Sequence, residues 1–211
     1  MPKKTRKPAR KGKTSPNKDK KFPPEPLTDD EARRLLKACS DRAPTGIRNR
    51  ALLAVMYRCG LRCDEALALK PKDIEPKAGK VLVLHGKGDE SRTVGIDAGA
   101  LALVQRWTDK RTAMGINGRA TLFCTLKGKK MSTAYIRQLL PRLARKAGIE
   151  KRVHAHGLRH THAAELAAEN TPINVIQAVL GHRNIATTSR YLDHIAPTQV
   201  IERMRNREWD L

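Results

Sequence analysis

Apolar residues along this chain fall into short periodic groups, and most of the groups have helical spacing. Thr28 followed by Asp29-Asp30-Glu31 is an N-cap and capping-box sequence, and it predicts a helix running through Leu35, Leu36 and Cys39. A second, apolar helix is expected through Ala51, Leu52, Leu53, Val55 and Met56, stopping near Gly60. A third spans residues 62–69 and is ended by Pro71. Residues 80–85 and 91–96 then read as two strands of a hairpin, joined through Gly86-Lys87-Gly88-Asp89. Asp97 caps a helix through Leu101, Leu103, Val104 and Trp107. Ser132 starts another through Ile136, Leu139, Leu140 and Leu143, with Pro141 as a point of kinking. Residues 156–168 are Ala-rich and helical. Thr171-Pro172 opens a further helix, with proline at its first position and Gly181 at its end. Short helices over residues 187–192 and 197–208 complete the pattern. The expected fold class is mainly α with a small antiparallel β-sheet (α+β).

Charge changes the picture from fold to partner. The chain has 211 residues, enough for one domain of ordinary size and a tail, and a formal net charge of +22. Such a charge repels itself in a compact state and points to a polyanionic partner, nucleic acid first. A membrane-surface protein would need a basic helix with Trp or Phe on its apolar face, and aromatics make up only 3% of this chain. No apolar run approaches the roughly 18 residues of a membrane span, and residues 1–21 lack the apolar core of a secretory signal. Residues 1–25 hold ten Lys or Arg, two acids and five prolines, so they read as a disordered basic tail that adds phosphate contacts. Cys39, Cys59, Cys63 and Cys124 do not form a disulfide framework for a chain of this length. They are expected to be buried thiols in a reducing cytoplasm.

Cleaving a phosphodiester requires fixed cations facing the non-bridging oxygens of an anionic transition state. It also requires a nucleophile, a base to take its proton and an acid for the leaving oxygen. Arginine suits the first task because its planar fork binds two oxygens and stays charged. Gly60-Leu61-Arg62 places an arginine at a helix start, with Glu65 three residues on. His156-Gly157-Leu158-Arg159-His160 sets His156 and Arg159 on one helical face. Leu180-Gly181-His182 puts a histidine just past a helix end, and Tyr191 follows nine residues later. Lys87 stands at the hairpin tip.

Each feature also has an ordinary reading. Arg62 could simply pair with Glu65, Lys87 could be solvated, and Tyr191 could be a half-buried packing residue. His154, His156, His160 and His162 crowd nine residues, and His156 and His160 have a spacing that zinc uses. Arg159 on the same helix would repel a cation, so no metal site is expected. His160 reads as a packing residue, and His154 and His162 have no assigned role. The sequence does not separate phosphate-binding from solvated roles for Arg58, Arg92, Arg183 and Arg190.

The order Arg, Lys, His-x-x-Arg, His, Tyr over residues 27–195 resembles the catalytic domain of the tyrosine recombinase (phage integrase) family. The resemblance implies that Tyr191 attacks the scissile phosphate to give a 3′-phosphotyrosyl bond and a free 5′-hydroxyl. It implies that Arg62, Arg159 and His182 hold the non-bridging oxygens. His156 would be the general base, Lys87 the general acid, and Glu65 a residue that orients its neighbours. No cofactor, metal or ATP is implied. The partner implied is double-stranded DNA, engaged by a homo-tetramer on synapsed sites that is monomeric in free solution, in a bacterial or phage-infected cytoplasm and associated with the nucleoid.

The expected organisation is a basic tail at 1–25, a catalytic domain at 26–196 and a C-terminal helix at 197–211 that contacts a neighbouring protomer. Many family members carry a helical core-binding domain ahead of the catalytic one, and here only the basic tail stands in that place. The Met1 start favours a naturally short form, which DNA-inverting fimbrial-switch members resemble, over a truncated one. The competing readings are a type IB topoisomerase or telomere resolvase, a non-cutting DNA-binding accessory protein, and a plain basic architectural protein.

Overall fold

The computed structural model describes residues 25–84, 91–182, 184, 188, 189 and 205. Helix α1 (Asp29–Lys37) starts where the capping box said it would. The Thr28 hydroxyl accepts from the Glu31 amide at 3.2 Å, and Glu31 Oε2 accepts from the Thr28 amide at 2.8 Å. Helix α2 (Pro44–Arg58) is apolar nearly all round and lies at the centre of the molecule. Every residue from Ala51 to Tyr57 is buried, and α1, α4 and α6 pack against it. Its two buried polar residues are satisfied. Arg48 donates to the Cys124 carbonyl and the Tyr135 hydroxyl, each at 3.1 Å, and Asn49 Nδ2 donates to the same hydroxyl at 2.9 Å.

After α3 (Cys63–Ala68) and a single 3-10 turn at Pro71–Asp73, the chain forms strands β1 (Ile74–Glu75), β2 (Lys80–Val83) and β3 (Arg92–Gly95). They make one antiparallel sheet in the order β1-β2-β3, with Val81 opposite Val94 and Val83 opposite Arg92. Val81, Val83 and Val94 face the core, while Leu82 and Thr93 point out, as the two-residue period of a strand requires. Four helices follow: α4 (Ala98–Ala113), α5 (Thr133–Lys146), α6 (Ala155–Ala168) and α7 (Ile173–Leu180). Asp97 caps α4 through the Ala100 amide, and Ser132 caps α5 through the Tyr135 amide. Trp107 on α4 is wholly buried, and its Nε1 donates to the Leu122 carbonyl at 2.7 Å. No helix among the described residues is long and apolar enough to cross a membrane.

The mainly α class with a small antiparallel sheet is what the structure shows. Three details differ from the expectation. Ile74–Glu75 adds a third strand, too short for a two-residue sequence period to reveal. Strand β2 ends at Val83, short of residue 85. Pro172 is the N-cap of α7, one position before the first helical residue, because its ψ of 140° is extended. Helix α5 continues through Pro141, the position at which a kink is expected. The basic tail, the hairpin tip with Lys87, Tyr191 and the segment 197–204 lie outside the described residues. Of the helix expected over 187–192, Thr188 and Ser189 are described, and both are helical.

Candidate active site

Three chain segments meet beside the C-terminal end of α2. The first is the turn Gly60-Leu61-Arg62. Gly60 has φ +60°, and a Cβ there would lie 2.6 Å from His162 Cδ2, so both backbone conformation and space call for glycine. Leu61 is fully buried and fixes the turn. Arg62 is then the N-cap of α3, and its amide donates to Glu65 Oε2 at 2.8 Å. Its guanidinium donates through Nη1 to Glu65 Oε1 at 2.9 Å, and the side chain is 36% exposed. The expected Arg62–Glu65 pair therefore forms, with the acid buried and the cation facing outward.

The second segment is the first half of α6, which carries His156, Arg159, His160 and His162. Arg159 is only 1% exposed. It donates through Nη1 to the Gly60 carbonyl at 2.8 Å and through Nη2 to the Leu180 carbonyl. This one guanidinium thus joins the carbonyl two residues before Arg62 to the carbonyl two residues before His182. The His156 and His160 rings meet edge to face, 4.5 Å between centroids.

The third segment is the end of α7, where Gly181 adopts a left-handed conformation and terminates the helix. The His182 amide donates to the Gln177 carbonyl, and Gln177 Nε2 donates back to the His182 carbonyl at 2.9 Å. His182 Nδ1 lies 3.0 Å from the hydroxyl of the buried Thr188. A hydroxyl donating to Nδ1 would leave the ring proton on Nε2.

The fields in this corner are strongly positive. Burial lowers the pKa of His156 and the charges of Arg159 and Arg62 lower it further. Burial likewise holds His182 at about 4, with Arg159, Arg62, His156 and Arg92 adding to the effect. His160 and His162 are also held at about 4, chiefly by burial. Glu65 goes the other way. Its burial alone would raise the carboxyl, but its hydrogen bonds to Arg92 and Arg62 outweigh this and hold it at about 2. At neutral pH the site presents arginines, neutral imidazoles and one buried, fully engaged carboxylate. That set can hold a phosphate dianion or a phosphodiester and can accept a proton.

These shifts imply acid sensitivity. The folded histidines have depressed pKa values, so they add stability that is fully present above the unfolded value near 6.5. That stability is lost as pH falls from about 6.5 toward about 4, because the unfolded chain takes up protons that the folded one refuses. Glu65 extends the loss from its ordinary range near 4.5 down to about 2. Melting temperature followed from pH 7.5 to pH 3 is expected to decline steadily below pH 6.5. A flat profile between pH 6.5 and pH 4.5 would contradict the buried neutral histidines.

The structure brings together Arg62, Glu65, His156, Arg159 and His182. Lys87 and Tyr191 are outside the described residues. Arg58 pairs with Asp97 at 2.7 Å and Glu165 at 3.0 Å, tying α2 to the start of α4 and to α6. Arg92 is a site residue that sequence reasoning left undecided. Its fork grips both oxygens of Glu65, at 2.9 and 2.8 Å, and its Nε donates to the Val179 carbonyl at 3.0 Å. The available signal was the strand alternation, which puts Arg92 on the same inward face as Val94. The thiols of Cys39, Cys59 and Cys63 are pushed up to about 11, 12 and 11 by burial and are protonated. Among the described residues, no group of three or more His, Cys, Asp or Glu side chains is placed to hold a metal ion.

Comparison with known proteins gives this corner a context. The model of the phage integrase family matches residues 25–196. Tyrosine recombinase XerC of Xanthomonas axonopodis pv. citri (strain 306) is 37% identical over 168 residues, covering 80% of this chain and 53% of that protein. The crystal structure of XerA recombinase superposes with a TM-score of 0.78 at 30% identity, covering 92% of this chain and 69% of the other. XerH site-specific recombinase, solved bound to its palindromic difH substrate after cleavage, matches with a TM-score of 0.72 at 29% identity, over 87% of this chain and 53% of its own. This chain thus spans about half the length of the curated relative described here. The family match takes in all three segments that meet at Arg159, and the chain belongs to the phage integrase family of tyrosine recombinases.

Proposed function

We propose that this protein is a site-specific DNA recombinase that cuts and rejoins double-stranded DNA through a 3′-phosphotyrosyl link to Tyr191. The observation that carries this reading is the convergence of Arg62, His156, Arg159 and His182 from three segments onto one positively charged corner. Arg62 and His182 face the non-bridging oxygens of the scissile phosphate, His182 through a neutral Nε2–H, and the buried charge of Arg159 stands directly behind them. The fixed charge of the two arginines, with the Nε2–H donor of His182, supplies the transition-state stabilisation that phosphoryl transfer needs. His156 takes the proton of the Tyr191 hydroxyl as the phenolic oxygen attacks phosphorus. Its lowered pKa keeps it neutral, and so able to accept, at physiological pH. The bond from phosphorus to the 5′-oxygen breaks, and Lys87 protonates the leaving oxygen. The 5′-hydroxyl of a partner strand then gives its proton to Lys87 and attacks phosphorus; the bond from phosphorus to the Tyr191 oxygen breaks, and His156 returns its proton to the phenolic oxygen. The phosphotyrosyl ester conserves the bond energy of the original diester, so rejoining needs no nucleotide.

The formal charge of +22 suits a DNA ligand, and pairing of two DNA sites calls for assembly of protomers, a tetramer on synapsed DNA. The reading is tested by incubating the protein with nicked suicide duplexes selected from a randomised pool. A denaturant-resistant protein–DNA adduct is expected, with the nucleotide remnant mapping by mass spectrometry to the peptide containing Tyr191. Absence of any adduct, or attachment at another residue, would sink the proposal.

A further inference from the structure

Two arginines bind consecutive carbonyls at the end of α7. Arg159 takes Leu180, from α6, and Arg92 takes Val179, from β3. Both reach across to the Arg62 turn, Arg159 through the Gly60 carbonyl and Arg92 through Glu65. Glu65 is the shared node. Its Oε1 accepts from Arg62 Nη1 and Arg92 Nη1, and its Oε2 accepts from the Arg62 amide and Arg92 Nη2. Four hydrogen bonds fill the acceptor capacity of a carboxylate. The carboxylate side chain is 3% exposed and that of Arg92 13%, against 36% for Arg62. Arg92 therefore spends its fork inside the protein, and Arg62 is the member of the trio turned toward solvent.

The glycine that ends α7 belongs to the same arrangement. A Cβ on Gly181 would stand 3.0 to 3.2 Å from Arg92 Cδ, Nε and Cζ, and the residue has φ +61°. The Arg92 side chain thus lies flat across the turn that leads to His182. On its own strand Arg92 is register-paired with Val83 of β2, the last residue of the strand that leads to the Lys87 segment. One side chain is bonded at once to the acid that holds Arg62 and to the helix end that carries His182, from the first residue of β3.

We propose that Arg92 is a positioning residue for DNA cleavage, setting the direction of the Arg62 guanidinium through Glu65 while tying strand β3 to the His182 turn. This rests on the recombinase reading above. With Arg92 in place, Glu65 is shared, and Arg62 binds it through one terminal nitrogen. Without Arg92, the buried carboxylate has lost two of its four donors, and it draws the Arg62 fork inward to replace them. The phosphate ligand then moves off its mark, and a displacement of about 1 Å costs on the order of 100-fold in rate.

The test uses the full chain with Arg92→Met and the milder Arg92→Lys, which keeps the charge and loses the fork. On suicide duplexes at saturating protein, adduct formation is expected to slow by about 10- to 100-fold for Arg92→Met. Affinity for the same duplexes stays within about threefold. In an Arg62→Lys background, Arg92→Met is expected to add little further loss, because the two act in series. Full additivity, or a loss of DNA binding and melting temperature that accounts for the whole rate effect, would overturn the proposal. The side-chain Nε–Hε signal of Arg62, assigned by its absence in Arg62→Lys, provides a readout free of activity. It is expected to shift in both Arg92 variants, and an unmoved signal overturns the coupling. If the wild type forms no adduct on any duplex, the recombinase reading fails, and the Arg62 signal alone decides whether Arg92 sets its orientation.

Discussion

Tyr191→Phe is expected to bind DNA with unchanged affinity and to form no covalent adduct. The substitution removes one oxygen and leaves the ring, so packing and the phosphate-binding cations are preserved. The chemistry is not preserved, because a phenyl ring offers no atom to attack phosphorus. Tyrosine is an unpromising nucleophile in water, with an ordinary pKa near 10. The corner built by Arg62, Arg159 and neutral His156 is suited to it, since nearby cations favour the phenolate and the imidazole accepts the proton. Removing a nucleophile typically costs on the order of 10⁴-fold or more in rate. Electrophoresis of denatured suicide-substrate reactions should show the adduct band for the wild type and none for the variant. A surviving band would place the nucleophile elsewhere.

Arg159→Met should behave differently, losing both cleavage and stability. The thioether side chain approximates the length of arginine but cannot donate, so the carbonyls of Gly60 and Leu180 lose their buried partner. An orphaned buried acceptor costs about 1–3 kcal/mol. Release of a buried charge offsets part of this, leaving a net destabilisation of about 2–4 kcal/mol. The midpoint of urea unfolding should drop accordingly, and adduct formation should fall below detection. Arg62→Met offers the contrast. Its side chain is partly exposed and gives one bond to Glu65, which keeps the Arg92 fork, so cleavage should fall while the urea midpoint drops less than in Arg159→Met. If Arg159→Met unfolds at the wild-type urea concentration, the carbonyl bracing does not hold the three segments together.

Much of this was legible in the chain because the governing signals are local. Thr28 and Glu31, Asp97, and Ser132 mark helix starts through bonds spanning three residues, and the structure contains each of them. The grouping of Arg62, His156, Arg159 and His182 was legible as an ordered set of side chains suited to phosphate chemistry. What the sequence hid was long-range geometry. Arg92 lies 27 positions from Glu65, and nothing near it in the chain announces an acid across the fold. Arg58 looked like Arg92 in sequence but pairs with Asp97 and Glu165 on other helices. The dual engagement of Arg159 was hidden for the same reason, since backbone carbonyls carry no sequence signature. Strand β1 escaped notice because two residues cannot express a period.

Helix α2 is buried along its length and runs straight into the Gly60 turn. The interior of the protein and the machinery of the reaction therefore share one rigid support. For evolution, this divides the molecule into two regimes. Substitutions along α2 put folding and the geometry of the Gly60 corner at risk together. The outward faces of α4 and α5 are exposed, and substitutions there leave that support intact.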